Sequence, residues 1–89
     1  MATPETVPVT IMTPSEVVWQ GDVQEVAATN SEGPFSVLPE HANFITILND
    51  TPLQLYLADN TTKEFRYPEA VLVVQNGDVS VYVHEAPSE

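Results

Sequence analysis

Proline spacing constrains this fold more than any other feature, because eight prolines are spread along the 89 residues. Proline lacks the backbone N–H that a helix interior needs, and its ring clashes with the preceding turn. Few segments between the prolines are long enough for a helix, so the sequence predicts strands. The prolines are Pro4, Pro8, Pro14, Pro34, Pro39, Pro52, Pro68 and Pro87.

The segments between the prolines alternate apolar and polar residues. Successive side chains of a strand point to opposite faces, so this alternation is typical of antiparallel strands with one buried and one solvated face. The predicted buried faces are Val7, Val9 and Ile11, then Leu53, Leu55 and Leu57, and finally Val79, Val81 and Val83.

Turn sequences separate these strands at short intervals. Asn76-Gly77 lies between two apolar segments and is typical of a two-residue hairpin turn. Residues 49–52 and 59–62 are further polar turn sequences. Strands at this spacing predict an all-β fold, an antiparallel β-sandwich or flattened barrel of about eight to ten short strands.

The charge balance restricts the classes of partner. The net charge is −11, because thirteen acidic residues stand against Lys63 and Arg66 alone. So few cations cannot neutralise phosphates, which argues against nucleic acid, and an anionic membrane surface would repel the chain. Either a basic protein surface or simple solubility explains the charge.

The ends and the cysteine count give no sign of export or of a membrane span. Residues 1–5 are acidic and lack the basic and apolar segments of a signal peptide. No apolar segment approaches the ~20 residues that cross a bilayer, so we expect no direct membrane insertion. The chain has no cysteine, hence neither a disulfide nor a thiolate metal site.

The sequence predicts no catalytic site. His41 and His84 each adjoin an acid, Glu40 and Glu85 respectively, yet adjacent residues of a strand face opposite ways. Neither pair therefore predicts a shared proton or a chelated metal ion. The three isolated glycines form no phosphate-binding loop. We expect no enzyme activity, no metal and no cofactor.

A resemblance to a known family rests on the segment 31–42, SEGPFSVLPEHA, which joins a Gly-Pro turn, an apolar run and polar residues. Together with 9–14 (VTIMTP) and 21–23 (GDV), it resembles the N-terminal β-sandwich domain of the epsilon subunit of F-type ATP synthases. The resemblance extends from about Val9 to Glu85. Four positions depart from the family pattern, namely Pro34, Ser36, Glu40 and Asn43.

This resemblance implies a noncatalytic rotor subunit of the central stalk. Such a subunit would bind the gamma subunit with one sheet and the membrane c-ring with its loop end, during proton- or sodium-driven ATP synthesis. It would lie at the cytoplasmic face of the bacterial inner membrane. The residues that the resemblance assigns to the c-ring and gamma contact are Ser31, Glu32, Glu40 and His41, whose carboxylates suit charge-assisted hydrogen bonds.

The domain boundaries follow from the same resemblance. We expect residues 1–89 to form a single domain, with residues 1–6 as a flexible tail. The helical hairpin that follows the sandwich in the family has no counterpart in this sequence. The resemblance therefore implies a subunit that neither binds ATP nor inhibits ATP hydrolysis.

Large apolar side chains are expected to pack in the core. These include Phe35, Val37 and Leu38 of the resemblance segment, together with Trp19 and Phe44. Trp19 has a second interpretation as a gamma contact.

The alternative class is an acidic β-sandwich adaptor or a carbohydrate-binding module unrelated to ATP synthase. A sugar-binding sandwich usually exposes several aromatic side chains on one platform. In this sequence Trp19, Tyr56, Tyr67 and Tyr82 fall on different predicted strands, so a platform is not indicated.

Overall fold

The computed structural model describes residues 6–39 and 42–84. These residues form eight strands and no helix, which confirms the all-β prediction. Glu40, His41 and most of the predicted tail lie outside the described residues. The strands are β1 (Val7–Met12), β2 (Val17–Asn30), β3 (Gly33–Val37), β4 (Phe44–Leu48), β5 (Pro52–Leu57), β6 (Thr62–Arg66), β7 (Ala70–Gln75) and β8 (Asp78–Val83).

The strands form one curled sheet in the order β4-β7-β8-β1-β2-β5-β6, with β3 paired to β2. Strand β2 is 14 residues long and serves both layers of the sandwich. Its first half pairs with β1, and its second half lies between β3 and β5. The curl turns one sheet face inward and so encloses the core, as a half-barrel would.

One pair of strands departs from the predicted antiparallel arrangement. Strands β1 and β8 are parallel, with Val9 opposite Val79 and Ile11 opposite Val81. No turn joins these two strands, because they are the first and last of the described chain. The antiparallel order that a hairpin imposes on neighbours therefore does not apply to them.

The predicted alternation places the core correctly on β1 and β8. Val9, Ile11 and Val81 are fully buried, and Val79 is 1% exposed. On β5, by contrast, Leu57 was predicted to be buried but is only half-buried. Each of β1 and β8 thus presents one apolar face to the inside of the curl, as the period of two predicts.

Leu38 does not belong to the core, contrary to the prediction, because it is 50% exposed. Strand β3 ends at Val37, whose side chain points inward and is 1% exposed. The next side chain points the other way, toward solvent. Phe35 and Phe44 are half-buried and pack edge to face, with ring centroids 5.7 Å apart.

Aromatic side chains line the core between β2 and β6. The ring centroids of Trp19 and Phe65 lie 6.3 Å apart, and Phe65 stacks on Tyr67 with the ring planes 6° apart. Trp19 is half-buried and packs against the core. The hydroxyl of Tyr67 is buried without a hydrogen-bond partner among the described residues.

The predicted hairpin turn between β7 and β8 is confirmed. Gln75 pairs with Asp78, and the two residues between them have positive φ angles, 54° at Asn76 and 85° at Gly77. Two positive φ angles define a type I′ turn, whose twist matches that of the flanking strands.

Candidate docking surfaces

An apolar row crosses five strands on the outer face of the sheet. Directly paired residues place the members side by side, with Ile47 opposite Val71, Val71 opposite Tyr82, Tyr82 opposite Met12, and Met12 opposite Val17. Three of these side chains are about half exposed, namely Ile47 (48%), Tyr82 (48%) and Val17 (55%). Large apolar groups are thus gathered on a surface that faces solvent.

A second row lies beside the first and is more polar toward β2. Ile45 pairs with Val73, Val73 with Ser80, Ser80 with Thr10, and Thr10 with Gln20. Ile45 is 69% exposed, more than the other large exposed hydrophobic residues. We call these two rows together the apolar face.

Carboxylates border the apolar face beyond the second row. Asp78 precedes Ser80 and Tyr82 on the outward side of β8, and Asp22 pairs with Pro8. Both Asp22 and Asp78 are exposed. The two lysine and arginine residues of the chain lie on β6 instead, so the apolar face has acidic neighbours and neither of these cations.

A groove of about 410 Å³ lies at the opposite end of the apolar face. The turn between β1 and β2 forms one wall, where the amide of Thr13 donates to the carbonyl of Glu16 over 2.8 Å. The amide of Glu16 donates in return to Oγ1 of Thr13, which fixes the turn. The groove is lined by Met12, Thr13, Pro14, Val71, Tyr82, Val83 and His84.

The outer face of β2, β3, β5 and β6 is polar by contrast. The Ser36 hydroxyl donates to the Glu25 carboxylate over 2.7 Å, and the Tyr56 hydroxyl donates to Gln54 over 3.2 Å. The amide of Gln54 donates in turn to Glu64 over 3.3 Å. These polar side chains form hydrogen bonds with one another, so they do not need a partner protein to supply donors or acceptors.

The predicted contact residues Ser31 and Glu32 form an exposed turn between β2 and β3. Asn30 holds this turn, since its Oδ1 accepts from the Glu32 amide over 2.8 Å and its Nδ2 donates to Thr46 over 2.9 Å. Asn30 also lines a groove with Ala42. The structure therefore places the Asn30 end of this turn near Ala42, the residue that follows His41.

The two remaining predicted contact residues, Glu40 and His41, lie outside the described residues. His84, the other histidine, is exposed and lines the groove beside Tyr82. Asn43, one of the positions that depart from the family pattern, accepts a hydrogen bond from the Asn76 amide over 2.9 Å. This bond ties the start of β4 to the β7–β8 turn.

Arg66 forms a surface ion pair with Asp50. Its Nε lies 3.1 Å from Oδ1 of Asp50, and both side chains are more than half exposed. An exposed pair of this kind stabilises the fold by only about 0–1 kcal/mol.

The described residues contain neither a group of potential metal ligands nor a helix that could span a membrane. Among residues 6–39 and 42–84, no three histidine or acidic side chains are grouped so that they could hold a metal ion. No helix within these ranges is long and apolar enough to cross a membrane.

The local sequence patterns did not predict the apolar face, although the sequence contains a signal for it. Strand β7 reads Ala-Val-Leu-Val-Val and β4 reads Phe-Ile-Thr-Ile-Leu, so both are nearly continuous apolar segments. Such segments are typical of strands that are covered on both faces. The alternation of apolar and polar residues on β1 and β8 predicted only the buried inner face of the sheet.

The fold and its surfaces define a small all-β sandwich domain with one apolar outer face. The chain belongs to the ATP synthase delta/epsilon chain family, because the model of that family's beta-sandwich domain matches residues 6–89.

Curated relatives agree with this assignment. The ATP synthase epsilon chain of a Nitratiruptor species is 30% identical over 82 residues, which cover 92% of this chain and 58% of that protein. The epsilon chain of a Sulfurovum species is 32% identical over 71 residues, or 80% of this chain and 50% of that protein. The chain thus spans between half and three-fifths of these relatives.

Solved structures share the fold. A chain of the Euglena gracilis mitochondrial ATP synthase, in a structure containing OSCP, F1 and the c-ring, superposes with a TM-score of 0.83. The two sequences are 18% identical, and the match covers 96% of this chain and 54% of that one. A chain from the Tetrahymena thermophila mitochondrial central stalk and c-ring gives a TM-score of 0.73 at 14% identity, and the match covers 94% of this chain and 67% of that one.

Proposed function

We propose that this chain is a noncatalytic rotor subunit of an F-type ATP synthase. It joins the gamma subunit to the c-ring in the central stalk, so that torque passes between the ion-driven ring and the catalytic head. The complex would hold it at the cytoplasmic face of a bacterial inner membrane. A tightly packed, rigid domain suits this task because torque is transmitted through stiff contacts.

The observation that supports the proposal best is the apolar row of five directly paired residues. Contiguous apolar surface of this kind is rare on proteins that act alone and is typical of a protein interface. A permanent partner would remove this surface from water, and the burial of apolar groups would stabilise the complex. We assign the apolar face to the gamma subunit for this reason.

The c-ring contact is assigned to the loop end of the sandwich. There Ser31 and Glu32 are exposed on a turn that Asn30 holds in place. Glu40 and His41 complete the proposed contact on the strength of the family resemblance. Carboxylates of this set would form charge-assisted hydrogen bonds with basic residues of the ring loops.

Carbohydrate binding, the alternative, gains no support from the aromatic side chains. Tyr67 is buried and Trp19 is half-buried against the core. Tyr56 lies on the polar outer face, whereas Tyr82 lies on the apolar face. Aromatic residues on separate faces cannot form the shared platform on which a sugar ring stacks.

Reconstitution tests the proposal. The chain is added to an ATP synthase that has been depleted of its epsilon subunit. The rates of ATP-driven ion pumping and of ATP hydrolysis are then both measured. We expect pumping per ATP hydrolysed to rise, and gamma to co-purify with the chain. We also propose that residues 1–89 do not inhibit hydrolysis. A sharp fall in hydrolysis that added ATP relieves would contradict that part.

A further inference from the structure

We propose that the gamma surface which covers the apolar face has an apolar centre with basic residues at its border. Charge would then set the rate at which the two proteins meet, and Tyr82 would set how long they stay together. This inference rests on the proposed function, because it takes gamma as the partner.

The distribution of charge supports a basic border on the partner. Asp22 and Asp78 are exposed beside the apolar face, and Glu16 and Glu69 lie in the turns that precede Val17 and β7 at its other end. Both ends of the face therefore have carboxylates. Lys63 and Arg66 lie on β6, outside the apolar face, and Arg66 is already paired with Asp50.

The same charges disfavour a second copy of the chain as the occupant. Two copies would each bring a net charge of −11, and their bordering carboxylates would meet one another. Like charges opposed across an interface weaken binding, whereas a positive border would strengthen it and speed the encounter. A hetero-partner with basic residues is therefore the better complement.

Tyr82 is positioned to anchor the partner. Its side chain is 48% exposed at the centre of the apolar row, between Val71 and Met12. The adjoining groove, bounded by Pro14 and His84, is large enough for an apolar side chain of the partner. Tyrosine is enriched among the few interface residues that dominate binding free energy, because it combines a large apolar ring with a polar tip.

Association kinetics with purified gamma test the charge component. The double variant Asp22→Asn, Asp78→Asn removes two carboxylates beside the face. Its matched control, Asp59→Asn with Glu64→Gln, removes two carboxylates from the β5–β6 region. We expect the first variant to lower the association rate about threefold at low salt and the difference to vanish at high salt. The control should change the rate less.

Dissociation kinetics test the anchor. Tyr82→Ser should raise the dissociation rate about tenfold, since a central aromatic contact is lost. Tyr56→Ser is the matched control, because it removes the same side chain from the polar outer face. It should leave dissociation unchanged. Trp19 fluorescence checks that each variant is folded.

Each outcome decides one claim. Equal effects of the two double variants would show that net charge alone steers association, and would overturn the basic border. An unchanged dissociation rate for folded Tyr82→Ser would overturn the anchor. Failure of the unaltered chain to bind gamma at any salt concentration is distinct, since it would overturn the proposed function itself.

Discussion

The indole of Trp19 lies directly against the backbone of Gly21, two positions along the same strand. A Cβ built on Gly21 would stand 2.8 Å from Cη2 and 3.0 Å from Cζ2 of the indole. Glycine is therefore needed at this position because the aromatic ring occupies the space that a side chain would take.

Gly21→Ala should destabilise the domain by about 1–3 kcal/mol, because the indole must move away from its contact with Phe65. Urea unfolding followed by Trp19 fluorescence measures the change. Gln20→Ala, at the neighbouring exposed position, is the control and should change the free energy of unfolding by less than about 0.5 kcal/mol. Equal effects of the two substitutions would refute the steric explanation.

The β7–β8 turn gives a second prediction. Gly77 has a φ of +85° with open space around its Cβ position, so any cost of a side chain there comes from the backbone conformation. Gly77→Ala should cost about 1–2 kcal/mol in unfolding free energy. Asn76→Gly should cost much less, because glycine accepts a positive φ readily. Thermal unfolding of both variants decides whether the backbone angle is responsible.

The buried hydroxyl of Tyr67 makes stability depend on alkaline pH. Burial raises the pKa of Tyr67 above its usual value of 10.0. The unfolded chain therefore releases the tyrosine proton first as the pH rises. The contribution of the protonated Tyr67 side chain to the free energy of unfolding is fully present below about pH 10. It is lost as the pH rises through the folded-state pKa.

Tyr67→Phe should remove this pH dependence. Below pH ~10 the variant should be as stable as the parent or slightly more so, because the hydroxyl has no partner among the described residues. Urea unfolding across the alkaline range provides the measurement, with Tyr82→Phe as an exposed control. A Tyr67→Phe variant that is much less stable near neutral pH would indicate a hydrogen bond that the structure does not show.

The assignment of the apolar face to gamma predicts a separation of binding from stability. Ile47→Asp places a charge on the apolar row, and burying that charge against an apolar partner should weaken gamma binding by more than about tenfold. Thr62→Asp introduces the same charge at an exposed position of β6 and should leave binding intact. Gamma pull-down with both variants, alongside their unfolding curves, provides the test. Strong binding by Ile47→Asp would move the gamma contact elsewhere.

Local patterns predicted most of the fold. The alternation on β1 and β8 identified their buried sides, and Asn76-Gly77 identified the type I′ turn, because both signals depend on neighbouring residues alone. The parallel pairing of Val9 with Val79 could not be predicted in this way, since it joins distant parts of the chain.

The candidate surfaces were predicted less completely than the fold. Leu38 was assigned to the core because it is apolar, yet the end of β3 at Val37 leaves it facing solvent. Register between β4, β7, β8 and β1 aligns Ile47 with Tyr82 through Val71, and no single segment contains that information. Ser31 and Glu32 came from a family resemblance, and their contact with the c-ring stays a prediction.

The side-by-side position of β1 and β8 has a consequence for synthesis on the ribosome. Strands β1 and β8 cannot pair until Val79, the partner of Val9, has left the ribosomal exit tunnel. Until then the middle of the sheet is missing, and the inner sides of β1 and β7 stay uncovered. The domain should therefore acquire its structure late and in one step, and a nascent chain arrested before β8 should be digested readily by protease.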